Sequence, residues 1–229
     1  MSSLNRIEPL FRTREYAHLL DREFYSEKFK LVLEEINNNL KKSEEALEGN
    51  YFYHHESQKL TPYPAPTRSA KRIFLAKHVQ HKRYVLEVGV NAGHSALLIL
   101  AANSKVKYLG VDIEQHGYTR SSSEILRKHF GERVEMIFGD SRDVLPTLKA
   151  NNLKFDVIHI DGSHSYFQCL TDLRNSQELL LDKKSTIILD DIKAHEVLDA
   201  FNQFKSEFMV SRVKYSKTKE NISFRLKRE

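Results

Sequence analysis

Residues 20–48 carry apolar side chains at Tyr25, Phe29, Val32, Leu33, Ile36 and Leu40, the spacing of one face of an α-helix. The opposite face is rich in Glu, Lys and Asn. This predicts an amphipathic helix packed on the rest of the chain or on a second subunit. Beyond Gly49 the periodicity breaks in NYFYHHESQKLTPYPAPTRSAKR, whose three prolines between residues 62 and 66 predict an irregular loop. The chain therefore divides into an N-terminal helical extension with a lid or linker loop, residues 1–66, and a main domain, residues 67–229.

From Tyr84 the pattern changes. The short apolar runs YVLEVGV, KYLGVDI, VEMIFGD, FDVIHIDG and STIILDDI alternate with helical patterns. These helices begin near His94 and then cover 121–130, 142–150, 165–181 and 194–207. Such alternation predicts an α/β fold, Rossmann-like and doubly wound, with a mainly parallel sheet and helices on both faces. The last two runs, MVSRVKYS and NISFRLK, are joined by a polar KTKE connection without a helix. They predict an antiparallel hairpin that brings the sheet to seven strands.

Composition narrows the setting. A chain of 229 residues, 40% hydrophobic, can bury one substantial core. The 36 basic and 31 acidic residues give a formal net charge of +5, spread along the chain without a continuous basic stripe. That distribution argues against a nucleic-acid partner. Cys169 is the only cysteine, so no intrachain disulfide forms. The N-terminus lacks a signal-peptide core, and ALLILAA is too short to span a bilayer. A cytoplasmic protein is expected.

In an open α/β sheet the ligand lies beyond the carboxyl ends of the strands. The first run ends with Glu87, Gly89, Asn91, Gly93 and Ser95, the second with Asp112, and the third with Asp140 and Ser141. The fourth ends with Asp161, Gly162, Ser163 and His164, and the fifth with Asp190 and Asp191. The G-x-x-x-G spacing of Gly89 and Gly93 suits a tight turn before a helix N-terminus, and departs from the G-x-G-x-x-G dinucleotide pattern. Asp112, about twenty residues on, stands where a carboxylate accepts ribose hydroxyls. Asp140 and Ser141 suit an adenine edge or, alternatively, the cap of the next helix.

Three carboxylates at neighbouring strand ends, Asp161, Asp190 and Asp191, repel one another unless a cation intervenes. Oxygen ligands favour Mg²⁺, with Ca²⁺ or Mn²⁺ as alternatives. His164, three residues beyond Asp161, can face the same cleft.

Taken in order, LEVGVNAGHSALLI, GVDIE, GDSRDVLPTL, FDVIHIDGSHSY and TIILDDI resemble the successive motifs of the class I S-adenosylmethionine-dependent methyltransferases. More narrowly, they resemble the metal-dependent O-methyltransferases of the catechol and macrolide-sugar types. The resemblance covers residues 84 to about 193 and leaves 1–66 uncovered. It implies cofactor contacts from Glu87, Gly89, Asn91, Gly93, Ser95, Asp112, Asp140 and Ser141. It also implies a metal at Asp161, Asp190 and Asp191, and catalysis by Asp161 with His164 as base. DGSH is similar to the sugar-methylating enzymes, whereas lysine is usual at the His164 position of the catechol type. LLLDKKST departs from the Pro-Gly-Gly turn of many relatives. The expected reaction is Mg²⁺-dependent methylation of a sugar or glycan hydroxyl. Methylation of a catechol or other phenol is the nearest alternative; nucleic-acid methylation and a non-catalytic cofactor-binding scaffold rank below it. A homodimer is a further expectation. His195 reads as a residue at a helix start, and the paired histidines of YFYHHE as part of a substrate lid.

Overall fold

The computed structural model describes residues 26–48, 51–53, 60 and 65–227. Its strands are β1 (Tyr84–Val88), β2 (Lys107–Asp112), β3 (Val134–Phe138), β4 (Val157–Ile160), β5 (Thr186–Leu189), β6 (Val210–Tyr215) and β7 (Ile222–Leu226). They form one sheet in the order β3-β2-β1-β4-β5-β7-β6. β1 to β5 pair in parallel, while β7 runs antiparallel between β5 and β6. The C-terminal hairpin is present, and its second strand, not its first, is the one that joins β5. No helix of the described residues is long and apolar enough to cross a membrane.

The two-residue period of the strands feeds two separate cores. Val85, Tyr108, Val134, Val157 and Ile188 point to one face. There they meet α1 (Glu27–Ser43), α2 (Ser69–Val79), α3 (His94–Ala102) and α4 (Gly117–Phe130). Leu86, Val88, Leu109, Ile158 and Ile187 point to the other. That face is covered by α5 (Ser141–Ala150), α6 (Tyr166–Gln177) and α7 (His195–Glu207). The free thiol of Cys169 is buried within this second core.

The apolar stripe of α1 packs on its own domain: Phe29, Val32, Leu33, Ile36 and Leu40 are all buried in the first core. Burial of each such side chain contributes about 2 kcal/mol. The helix starts at an N-cap, Ser26, whose hydroxyl accepts from Phe29 N at 3.2 Å. It stops at Ser43 because Glu44 takes φ 59°. Tyr25 lies outside the described residues.

α4 begins earlier than its sequence pattern suggests. Gly117 N donates to Glu45 Oε1 at 3.0 Å, so the cap comes from the segment after α1, far away in sequence. The same segment region closes further along: Tyr51, Phe52 and Tyr53 are buried. Arg72, itself buried, donates to Tyr51 O and Ala65 O, each at 3.0 Å. The part of the expected lid that is described is thus core; His54 and His55 lie outside the described residues.

One glycine controls how the strand ends approach. Gly89 has φ +85°, and a Cβ there would stand 2.2 Å from the backbone oxygen of Asp161. The missing side chain lets the end of β4 lie against the end of β1. Gly89→Ala is expected to lower the unfolding free energy by about 2–4 kcal/mol through positive-φ strain and overpacking. Chemical denaturation checks this, and an unchanged midpoint would contradict it.

Candidate functional site

A cavity of about 890 Å³ opens at the carboxyl ends of β1 to β5. Its first wall is the turn between β1 and α3. Gly89, Asn91 and Gly93 all have positive φ, at 85°, 52° and 80°. Val90 N and Asn91 N each donate to Asp112 Oδ2 at 2.8 Å, and Glu114 N donates to Asp112 Oδ1 at 2.7 Å. Asp112 therefore braces two loops and still lines the cavity, with one lone-pair direction left for a ligand hydroxyl. Ser95 lines the same wall.

Two groups of this wall lack partners. Among the described residues Asn91 Oδ1 and His94 Nε2 are buried without a hydrogen-bond partner, and both residues line the cavity. Buried polar atoms in that state call for a ligand or solvent partner. Burial pulls the His94 imidazole down to about 3, so it stays neutral. These orphaned atoms, beside a helix N-terminus, fit a polar cofactor such as S-adenosylmethionine.

Asp140 and Ser141 also line the cavity, and both serve α5 as well. Asp140 is the N-cap, accepting from Arg142 N at 2.9 Å, and the Arg142 guanidinium holds its carboxyl below the usual range. The capping alternative thus describes its geometry. Ser141 Oγ donates to Asp172 Oδ1 at 2.7 Å and accepts from Gln168 Nε2 at 2.7 Å. Gln168 and Asp172 line the cavity too, and no sequence motif singled them out. Their signal was an i, i+4 polar pair on the inner face of α6.

Glu87 is placed elsewhere. It is fully buried, does not line the cavity, and spends both oxygens within the first core. Tyr108 Oη donates to its Oε2, and His159 Nδ1 lies 2.7 Å from its Oε1. The chain of bonds continues from His159 Nε2 to Tyr51 Oη at 2.8 Å. Asn221 Nδ2 then donates to Tyr51 Oη at 3.0 Å and to Asp190 Oδ1 at 2.7 Å. The Glu87 carboxylate accepts, so His159 Nδ1–H donates to it, and a neutral ring then accepts at Nε2 from Tyr51 Oη. The line runs from β2 to β5 beneath the N-terminal segment.

The acidic triad is brought together but divided in role. Asp190 is buried and is not among the residues lining the cavity, while Asp161 and Asp191 line it. Lys71 of α2 places Nζ 2.6 Å from Asp190 Oδ2 and 3.9 Å from Asp191 Oδ1. Burial opposes the Lys71 charge, but Asp190, Asp161 and Asp191 outweigh it and hold the ammonium protonated.

His164 Nε2 lies 3.0 Å from Asp191 Oδ2 at the cavity mouth. This contact outweighs desolvation and raises the imidazole above its ordinary value. For Asp191, burial works upward, but His164 and Lys71 prevail and lower it.

Asp161 is the exception. Its carboxylate makes no hydrogen bond or ion pair among the described residues. Burial and the Asp190 charge push it well above the carboxylate range, even with Lys71 nearby. One ammonium does not neutralise this triad, and Asp161 and Asp191 are the two of its carboxylates that line the cavity. His159 also comes within 4.8 Å of the Asp161 and Asp190 ligand atoms, yet both its ring nitrogens are already bonded. His195 stands apart, exposed at the start of α7 and paired with Asp199 at 3.1 Å.

Comparison with known proteins agrees with this layout. Residues 86–192 match the family described as a methyltransferase domain. The O-methyltransferase from Bacillus cereus, solved with S-adenosylhomocysteine, is 16% identical, with a TM-score of 0.59 over 94% of this chain and all of that one. TomG from Streptomyces achromogenes, an O-methyltransferase involved in tomaymycin synthesis and solved with S-adenosylmethionine, is 13% identical. Its TM-score is 0.60 over 85% of this chain and 88% of its own. CalS11, a TDP-rhamnose 3'-O-methyltransferase of calicheamicin biosynthesis, is 18% identical, with a TM-score of 0.54 over 68% and 76%. No curated protein matches the chain in sequence. Residues 86–192 are thus similar to a methyltransferase domain, and the sheet that holds them has the fold of these solved O-methyltransferases.

The Asp172 carboxyl at the cavity floor is pushed up to about 6, chiefly by burial. Its folded value exceeds its unfolded one, so its contribution to stability is present below the unfolded value and is lost as pH rises through about 6. Asp172→Asn is expected to be more stable than wild type by about 2 kcal/mol at pH 7.5. Thermal melting across pH 5–7.5 should show the difference narrowing as pH falls.

Proposed function

We propose that this protein methylates a hydroxyl group of a sugar or glycan, using S-adenosylmethionine as donor and a divalent cation, Mg²⁺ by preference, at the acceptor. The observation that carries this reading is one cavity lined by Gly89, Val90, Asn91 and Ala92 of the turn together with Asp161, Asp191 and His164. The sugar acceptor is supported by histidine at the position after DGS, and by the likeness of the fold to CalS11, whose substrate is a TDP-sugar. A catechol or other phenol is the competing acceptor, since its paired hydroxyls chelate a cation in the same way.

S-adenosylmethionine supplies a sulfonium-bound methyl group, and a divalent ion makes a nearby hydroxyl more acidic. Asp161 and Asp191 are the residues that would hold such an ion. Asn91, Ser95 and Asp112 bind and orient the donor along the turn. His164 is bonded to Asp191 through Nε2, which leaves Nδ1 as the nitrogen that takes the acceptor proton. Asp191 steadies the ring and stabilises the imidazolium that results. Ser163 and His164 sit at the exposed mouth, where the acceptor oxygen enters.

His164→Ala is expected to lower turnover by about 10²–10⁴-fold while leaving the affinity for S-adenosylhomocysteine unchanged. Normal turnover in this variant would remove the assigned base. Labelled S-adenosylmethionine offered with nucleoside-diphosphate sugars or with catechols separates the acceptors, and transfer that survives EDTA would sink the cation.

A further inference from the structure

The sequence pattern treats Asp161, Asp190 and Asp191 as three equal ligands. Asp190 is not equal to the other two. Its Oδ1 accepts from Asn221 Nδ2 and from Asp191 N, each at 2.7 Å. Its Oδ2 faces Lys71 Nζ at 2.6 Å, with the two side chains only 1% and 4% exposed. Oδ1 is hydrogen-bonded twice, and Oδ2 has the Lys71 ion pair as its contact among the described residues.

Lys71 is also fixed in place. Its ammonium lies 4.5 Å from the centre of the Tyr51 ring, a cation–π contact. Tyr51 is in turn held by His159 and Asn221. The next residue, Arg72, anchors α2 to the Tyr51 and Ala65 carbonyls. An ammonium so confined stays beside the carboxylates whether or not a second cation is bound.

We propose that Lys71 is a built-in cation of the acidic site that competes with the divalent ion for Asp190, leaving Asp161 and Asp191 to hold that ion weakly. This rests on the cation-dependent reading above. Like charges at close range in a poorly solvated site repel strongly, so the ammonium lowers the affinity for a dication. An ion held by one or two carboxylates completes its shell with water and substrate oxygens. Occupancy then depends on the acceptor, and the protein stays folded without metal because Lys71 already offsets part of the triad's charge.

The test is Mn²⁺ binding to the full chain without donor or acceptor, read from the loss of the free-ion paramagnetic resonance signal. Lys71→Met removes the charge at similar length. Lys71→Gln removes it while keeping a donor for Asp190, should the methionine variant fail to fold. Lys71→Arg keeps the charge. Neutral variants are expected to bind Mn²⁺ at least tenfold tighter than wild type, with Lys71→Arg close to wild type. Equal or weaker binding by a folded neutral variant, beside a wild type that binds, overturns the competition alone. Absence of Mn²⁺ binding in wild type and in both neutral variants overturns the cation reading and the competition with it.

Discussion

The buried pair of Lys71 and Asp190 is the interaction on which the rest of the site depends. Two charges taken out of water cost more than their mutual attraction returns unless further hydrogen bonds satisfy them. Asp190 has those bonds from Asn221 and from the backbone of Asp191. Asn221 passes the connection to Tyr51, His159 and Glu87. A polar line therefore crosses the first core, where each of its bonds persists only if the neighbouring members keep their places. It joins four strands, β2, β1, β4 and the end of β5, to the segment after α1.

This placement explains why Asp161 and Asp191 differ although both close a strand in an acidic cluster. Asp191 receives His164 and the edge of the Lys71 field, so its charge is favoured. Asp161 has no bonded partner among the described residues, and burial with the Asp190 charge outweighs the Lys71 field, so its charge is disfavoured. The cavity thus holds one carboxylate whose charge is favoured, one whose charge is disfavoured, and a histidine at the mouth. The donor side is built differently, from a positive-φ turn braced by Asp112, where backbone geometry does the positioning.

Much of the fold was legible because strand and helix periods differ. The apolar runs from Tyr84 onward alternate with helical stretches, and the parallel sheet follows from that alternation. Helix ends set by local caps, such as Asp140 before α5 and Ser165 before α6, were readable within a residue or two. The start of α4 was not, since Glu45 caps it from another element. Glu87 was misplaced for a related reason. Side chains alternate along β1, and sequence position at the strand end does not say which face a residue turns to.

By itself the sequence determined the order of elements, the turn at Gly89 and Gly93, and the acidic ends of the strands that meet the cavity. Those features depend on local period, backbone freedom and residue type, which neighbours along the chain express. Only the tertiary structure decided that Lys71, ninety residues before the β4 end, would stand against Asp190. It likewise decided that Glu87 would serve the core and that Gln168 and Asp172 would line the cavity. Contacts between separate elements depend on how helices dock across a sheet, and no short stretch of sequence carries that information.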